Sequence, residues 1–94
     1  MNKYETVFII NPSVEDAGVK ELIEKFSNII NSDGKVEEAK ELGMKKLAYE
    51  INKVNEGYYT LINFEATPEL PKELDRVFRI TDGVIRHIIV KNEA

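Results

Sequence analysis

Basic and aromatic side chains in strand-like segments are the part of this sequence with chemistry to offer. Lys45-Lys46 and Lys53 flank a run ending in Tyr49-Glu50-Ile51, Tyr58-Tyr59 follow, and Arg86 and Lys91 lie near the end. Lysine and arginine neutralise phosphates, and the flat tyrosine ring stacks on unpaired bases. Each feature also has an ordinary structural explanation. Adjacency sends Lys45 and Lys46 to opposite faces of a strand, where solvated charges are commonplace, and Tyr58 and Tyr59 suit a strand by propensity alone.

Catalytic chemistry finds no support. His87 is the sole histidine, cysteine is absent, and Ser13, Ser27 and Ser32 have no base nearby in sequence. A lone histidine in a strand is expected to pack or hydrogen-bond. Glu15-Asp16 reads as a helix start and Glu37-Glu38 as solvated charge. The glycines Gly18, Gly34, Gly43, Gly57 and Gly83 are dispersed, so no glycine-rich phosphate loop exists. Without cysteine, disulfides and zinc-thiolate sites are also excluded.

Any site must therefore be carried by the scaffold. Residues 2–10 alternate, with Tyr4, Thr6, Phe8 and Ile10 on one side and Lys3, Glu5, Val7 and Ile9 on the other, which predicts a strand ended by Asn11-Pro12. From Val14 to Asn31 the apolar residues Val19, Leu22, Ile23, Phe26, Ile29 and Ile30 recur at helical spacing. Ser13 and Asp16 resemble a capping pair there, and Asp33-Gly34 forms a stop. Residues 35–51 are less decided, because Val36 to Lys40 is polar and tolerates a helix. Gly43 followed by Met44 to Ile51 favours a long, bent edge strand with a bulge at the glycine. The turn 52–57 leads to a strand from Tyr58 to Phe64, Thr67-Pro68 opens a second helix bearing Leu70, Leu74, Val77 and Phe78, and Val84 to Val90 forms the last strand.

The order βαββαβ predicts an α+β, ferredoxin-like fold, a four-stranded antiparallel sheet with two helices on one face. The other face cannot be covered by these elements. If Phe8, Ile10, Ile62 and Phe64 pack under the helices, alternation gives the open face Lys3, Glu5, Val7, Ile9, Tyr59, Leu61, Arg86, Ile88 and Val90. An apolar patch with tyrosine and arginine at hand suits stacking on unpaired bases or packing under another protein. Cover by the chain's own C-terminus or by a second copy is the plainer alternative.

With 94 residues, 43% hydrophobic and 32% charged, the chain has the makings of one soluble domain spanning 1–94. No stretch reaches membrane-span length, and Met1 to Glu5 lacks the pattern of a secretion signal, so a cytoplasmic location is expected. The net charge of −4 opposes nucleic-acid binding at first sight. The distribution tempers this: acids outnumber bases in the helical segments, whereas 42–64 carries Lys45, Lys46 and Lys53 against Glu50 and Glu56, and 84–92 carries Arg86 and Lys91 with no acid.

Three stretches resemble one family, ribosomal protein six of the bacterial small subunit. They are the opening Tyr4-Glu5 with its strand and Asn11-Pro12; the middle run Glu41-Leu42-Gly43-Met44-Lys45-Lys46-Leu47-Ala48-Tyr49-Glu50-Ile51-Asn52-Lys53 with Glu56-Gly57-Tyr58-Tyr59; and the close, Arg79-Ile80 through Val84-Ile85-Arg86. Leu42 stands where many relatives carry tryptophan. Some relatives have arginine in place of Lys45 and Lys46, which keeps the charge but changes the phosphate geometry.

The resemblance implies a non-enzymatic, ribosome-bound protein without cofactor, metal or small-molecule substrate. It implies binding to the central domain of small-subunit ribosomal RNA as a heterodimer with ribosomal protein eighteen, during assembly of the platform. The partner would supply positive charge that this acidic chain lacks. Carried onto matching positions, Lys3, Lys45, Lys46, Tyr49, Lys53, Tyr59, Arg86 and Lys91 become the candidates for RNA or partner contact. Two other classes compete: a regulatory domain that dimerises through its open sheet and binds a small ligand, and a small enzyme of similar topology. The enzyme would need a phosphate-cradling arginine or an acid-base pair, and neither is present.

Overall fold

In the computed structural model, which describes residues 2–51 and 54–92, the elements follow the order β1 (Asn2–Ile10), α1 (Asp16–Ser32), β2 (Gly34–Ile51), β3 (Val54–Ala66), α2 (Leu70–Ile80) and β4 (Val84–Asn92). The sheet order is β2-β3-β1-β4, and every neighbouring pair is antiparallel. This is the ferredoxin-like arrangement expected from the strand and helix order.

The core forms where three phenylalanines meet. Phe8 of β1, Phe26 of α1 and Phe78 of α2 are all essentially buried, with ring centroids 5.1 Å (Phe8 to Phe26), 5.1 Å (Phe8 to Phe78) and 4.3 Å (Phe26 to Phe78) apart. One ring comes from the sheet and one from each helix, so this contact fixes both helices on the same face. Around it pack Tyr4, Ile10, Val19, Ile30, Ile62, Phe64, Leu70, Leu74 and Val77. Alternation holds in β1 and β3: buried Thr6, Phe8 and Ile10 share a face with buried Thr60, Ile62 and Phe64.

Helix starts differ from the sequence expectation. Ser13 caps nothing: its N–H donates to Asn11 Oδ1 at 2.9 Å, closing a turn over Asn11-Pro12. Helix α1 begins at Asp16 after Glu15, without a side-chain cap. Thr67-Pro68 likewise does not open α2, which starts at Leu70 with Pro71 in its first turn. Thr67 instead donates its hydroxyl to Asp33 Oδ2 at 2.8 Å, joining the end of β3 to the end of α1.

The β2–β3 hairpin is longer than expected, since pairing extends to Ile51 opposite Val54, inside the segment read as a turn. β2 is the long edge strand expected, with irregularities between Val36 and Glu38, Glu41 and Gly43, and Lys46 and Ile51. Gly43 has φ +87°, a conformation that side chains with a Cβ rarely adopt, which explains glycine at that bulge.

Candidate functional site

The helix-free face of the sheet is the surface available for binding. Strand pairing brings Lys3, Glu5, Val7 and Ile9 of β1 opposite Glu65, Asn63, Leu61 and Tyr59 of β3 on one side. On the other side Glu5, Val7 and Ile9 face Val90, Ile88 and Arg86 of β4. Val7, Ile9, Tyr59, Arg86 and Ile88 surround a depression of about 220 Å³. Ile88 and Val90 are each 50% exposed, unusually open for such side chains and indicative of a contact surface.

Ile9 is the exception, only 8% exposed. It lies over Gly57, where a Cβ would come within 2.2 Å of Ile9 Cγ2. The glycine makes room for Ile9 to lie flat on the sheet, which keeps the apolar centre of the face level.

Charges ring this centre. Lys3 lies 3.8 Å from Glu37, and Lys40, opposite Leu61, lies 3.5 Å from Glu38. Lys35 faces Glu65, and Lys45 faces Gly57 on the same side of the sheet. Lys46 pairs with Glu56 and, by alternation, points to the helix side; both Lys45 and Lys46 are exposed. Lys35 and Lys40 are additions to the expected residues. One bulge between Lys35 and Lys40 and a second just beyond Lys40 reset the alternation, and no residue pattern in 35–41 announces that.

Lys91 does not join this face. It pairs with buried Tyr4, which places it on the helix side of β4 beside the groove that β4 forms with Pro71 and Lys72 of α2. Tyr49 belongs to β2, but its side chain lies outside the described residues, as does Lys53 altogether. The open face thus unites Lys3, Lys45, Tyr59 and Arg86 of the expected set.

His87 also lies on the helix side. Its ring stacks on Phe78 with centroids 4.8 Å apart, and its Nε2 is 2.6 Å from Asp75 Oδ1. That hydrogen bond, and then Arg79, holds the Asp75 carboxyl below the usual carboxylate range. The histidine ties α2 to β4, a packing role. On the α1 side, Tyr58 donates to Glu41 Oε1 at 3.1 Å; burial first, then Glu41, pushes its hydroxyl above the ordinary tyrosine value. No group of three or more His, Cys, Asp or Glu among the described residues could hold a metal ion.

Comparison with known proteins decides the family. The model of the family described as ribosomal protein S6 matches residues 3–91. The chain belongs to the ribosomal protein S6 family. Small ribosomal subunit protein bS6 of Clostridium perfringens is 66% identical over 94 residues, covering 99% of both chains. The bS6 protein of Clostridium botulinum (strain Loch Maree / Type A3) is 61% identical and likewise matched over its full length. The crystal structure of 30S ribosomal protein S6 from Thermotoga maritima superposes with a TM-score of 0.92 at 36% identity, covering 97% of this chain and 87% of that one. Membership of the S6 family makes the chain a structural, non-enzymatic protein of the small ribosomal subunit, bound to the ribosome in the bacterial cytoplasm.

Proposed function

We propose that this chain binds the central domain of small-subunit ribosomal RNA together with ribosomal protein eighteen, as a heterodimer, and that its open sheet face is divided between the two. The observation that carries this reading is the composition of that face: an apolar centre of Val7, Ile9, Leu61 and Ile88 within a ring of mixed charge. Apolar centres with polar rims are the anatomy of protein interfaces, so the centre is assigned to the protein partner. RNA is assigned to the hairpin, where exposed Lys45 and Lys46 project to opposite sides and can reach separate phosphates. Lys3, Tyr59 and Arg86 stand between the two zones as shared contacts. Lys53, Tyr49 and Lys91 remain candidates for RNA contact.

A net charge of −4 means that RNA affinity should depend on the partner. Central-domain RNA titrated with this chain is expected to bind tightly only when ribosomal protein eighteen is present; no binding with the partner added would refute the reading. Replacing Lys45 and Lys46 by glutamate should weaken binding and flatten its salt dependence, by roughly one unit of logarithmic slope for each phosphate no longer neutralised. An unchanged slope removes these lysines from the contact surface.

A further inference from the structure

We propose, resting on the RNA-binding reading above, that the groove between α2 and β4 is a second RNA contact, which seats one ribose-phosphate unit of the backbone between Lys72 and Lys91. Lys72 comes from α2 and Lys91 from β4, so folding brings the two to one groove. Both are exposed, and neither has an ion-pair partner among the described residues. Asp75 is the one acid among the lining residues, and its two carboxylate oxygens are already engaged, Oδ1 by His87 and Oδ2 by Arg79. The groove therefore presents two uncompensated ammonium groups, which repel one another unless an anion lies between them.

Size and walls narrow the occupant. Tyr4, Pro71 and Ile89 supply apolar sides, and the volume is about 400 Å³, within the roughly 300–1,000 Å³ of pockets that hold organic ligands. A bare anion would leave most of this space empty, whereas a sugar with its phosphate sets carbon against the walls and charge against the lysines. Lysine binds phosphate as a point charge, so the pair tolerates any backbone geometry and reads no base. A protein surface fits less well, because lysine is depleted where proteins meet.

The groove is also continuous with the open face. His87 and Ile88 line both it and the open depression, and Arg86 lines the depression. β4 is an outer strand, so RNA held at Arg86 can pass over its edge to Lys91 and Lys72 without crossing the sheet. No acid occurs from Val84 to Asn92 to repel phosphate on that path, whereas β2, the other outer strand, carries Glu37, Glu38 and Glu41 beside its lysines.

Lys72→Gln combined with Lys91→Gln changes only exposed side chains, so the fold is retained. With ribosomal protein eighteen present, the double variant should bind central-domain RNA at least about fivefold more weakly than the native chain, with a salt slope shallower by roughly one unit. Lys20→Gln, on α1, should match the native chain in both. Lysine acetylation read by mass spectrometry gives a second measurement: Lys72 and Lys91 should lose most of their reactivity when RNA joins the heterodimer, and Lys20 should not. An unchanged slope in the double variant overturns the proposal, and protection already complete in the heterodimer without RNA overturns it in favour of a protein occupant. Both results leave native RNA binding intact, and with it the reading of the open face; failure of the native chain to bind RNA beside its partner refutes both.

Discussion

Val7 and Phe8 are neighbours in the chain and serve opposite ends. Phe8 faces the helices and is fully buried among Phe26 and Phe78, whereas Val7 faces away and lines the open depression with Ile88. The same strand thus presents one face that makes the fold and another that the fold leaves unfilled. Hydrophobicity alone does not separate them, since both are rich in isoleucine and valine. What separates them is whether the described residues supply a covering layer: among them, two amphipathic helices lie on one side and none on the other. An apolar side chain is worth stability on the first face and binding on the second.

Substitutions on the two faces should therefore report on different quantities. The largest effect is expected from Phe26→Ala, which opens a cavity at the contact shared by both helices and the sheet. It should cost about 3–5 kcal/mol in urea unfolding. A loss below about 1 kcal/mol would mean that the aromatic cluster is not what holds the helices down.

Gly57→Ala probes the point where the comparison is weakest, because Gly57 is on the open face yet buried. Its new Cβ would press on the Cγ2 methyl of Ile9, so a loss of about 1–3 kcal/mol is expected by thermal unfolding. A neutral result would show that Ile9 moves freely and that the level surface is not built in.

The smallest effect is expected at the junction of α2 and β4. The Asp75 carboxyl is held below its ordinary pKa, so its contribution is present above the unfolded value of about 4 and is lost as pH falls through the folded value. Asp75→Asn should thus lower the melting temperature slightly at pH 7, and the difference from the native chain should start to shrink as pH falls below about 4 and vanish only below the folded value. A difference that persists at low pH would assign the role of Asp75 to hydrogen bonding alone.

Much of this division is legible in the residues. Alternation in 2–10 and 58–64 places each side chain on its observed face, and the helix spacing of Phe26, Ile30, Leu74 and Phe78 marks what covers it. The element order then leaves one face open without any further knowledge. Helix starts are less legible, because Ser13 and Thr67 are residue types that cap helices but here bond to Asn11 and Asp33 instead. β2 is the least legible: two bulges separate Val36 from Gly43, so the faces of Lys35 and Lys40 follow from pairing with β3 and not from local pattern. The side of Lys91 likewise depends on the β1–β4 register. Family membership rests on the middle run and the overall match, whereas the contacts themselves depend on partners outside the chain.

Ile88→Asp tests the separation of the two faces most directly, with unfolding and co-binding measured on the same protein. Ile88 is 50% exposed, so urea unfolding should change by no more than about 1 kcal/mol. Its joint binding with ribosomal protein eighteen to central-domain RNA should weaken at least about tenfold, because a carboxylate would be buried unpaired beneath the partner. Native-like co-binding by a stably folded Ile88→Asp protein would contradict the assignment of the open face to that partner.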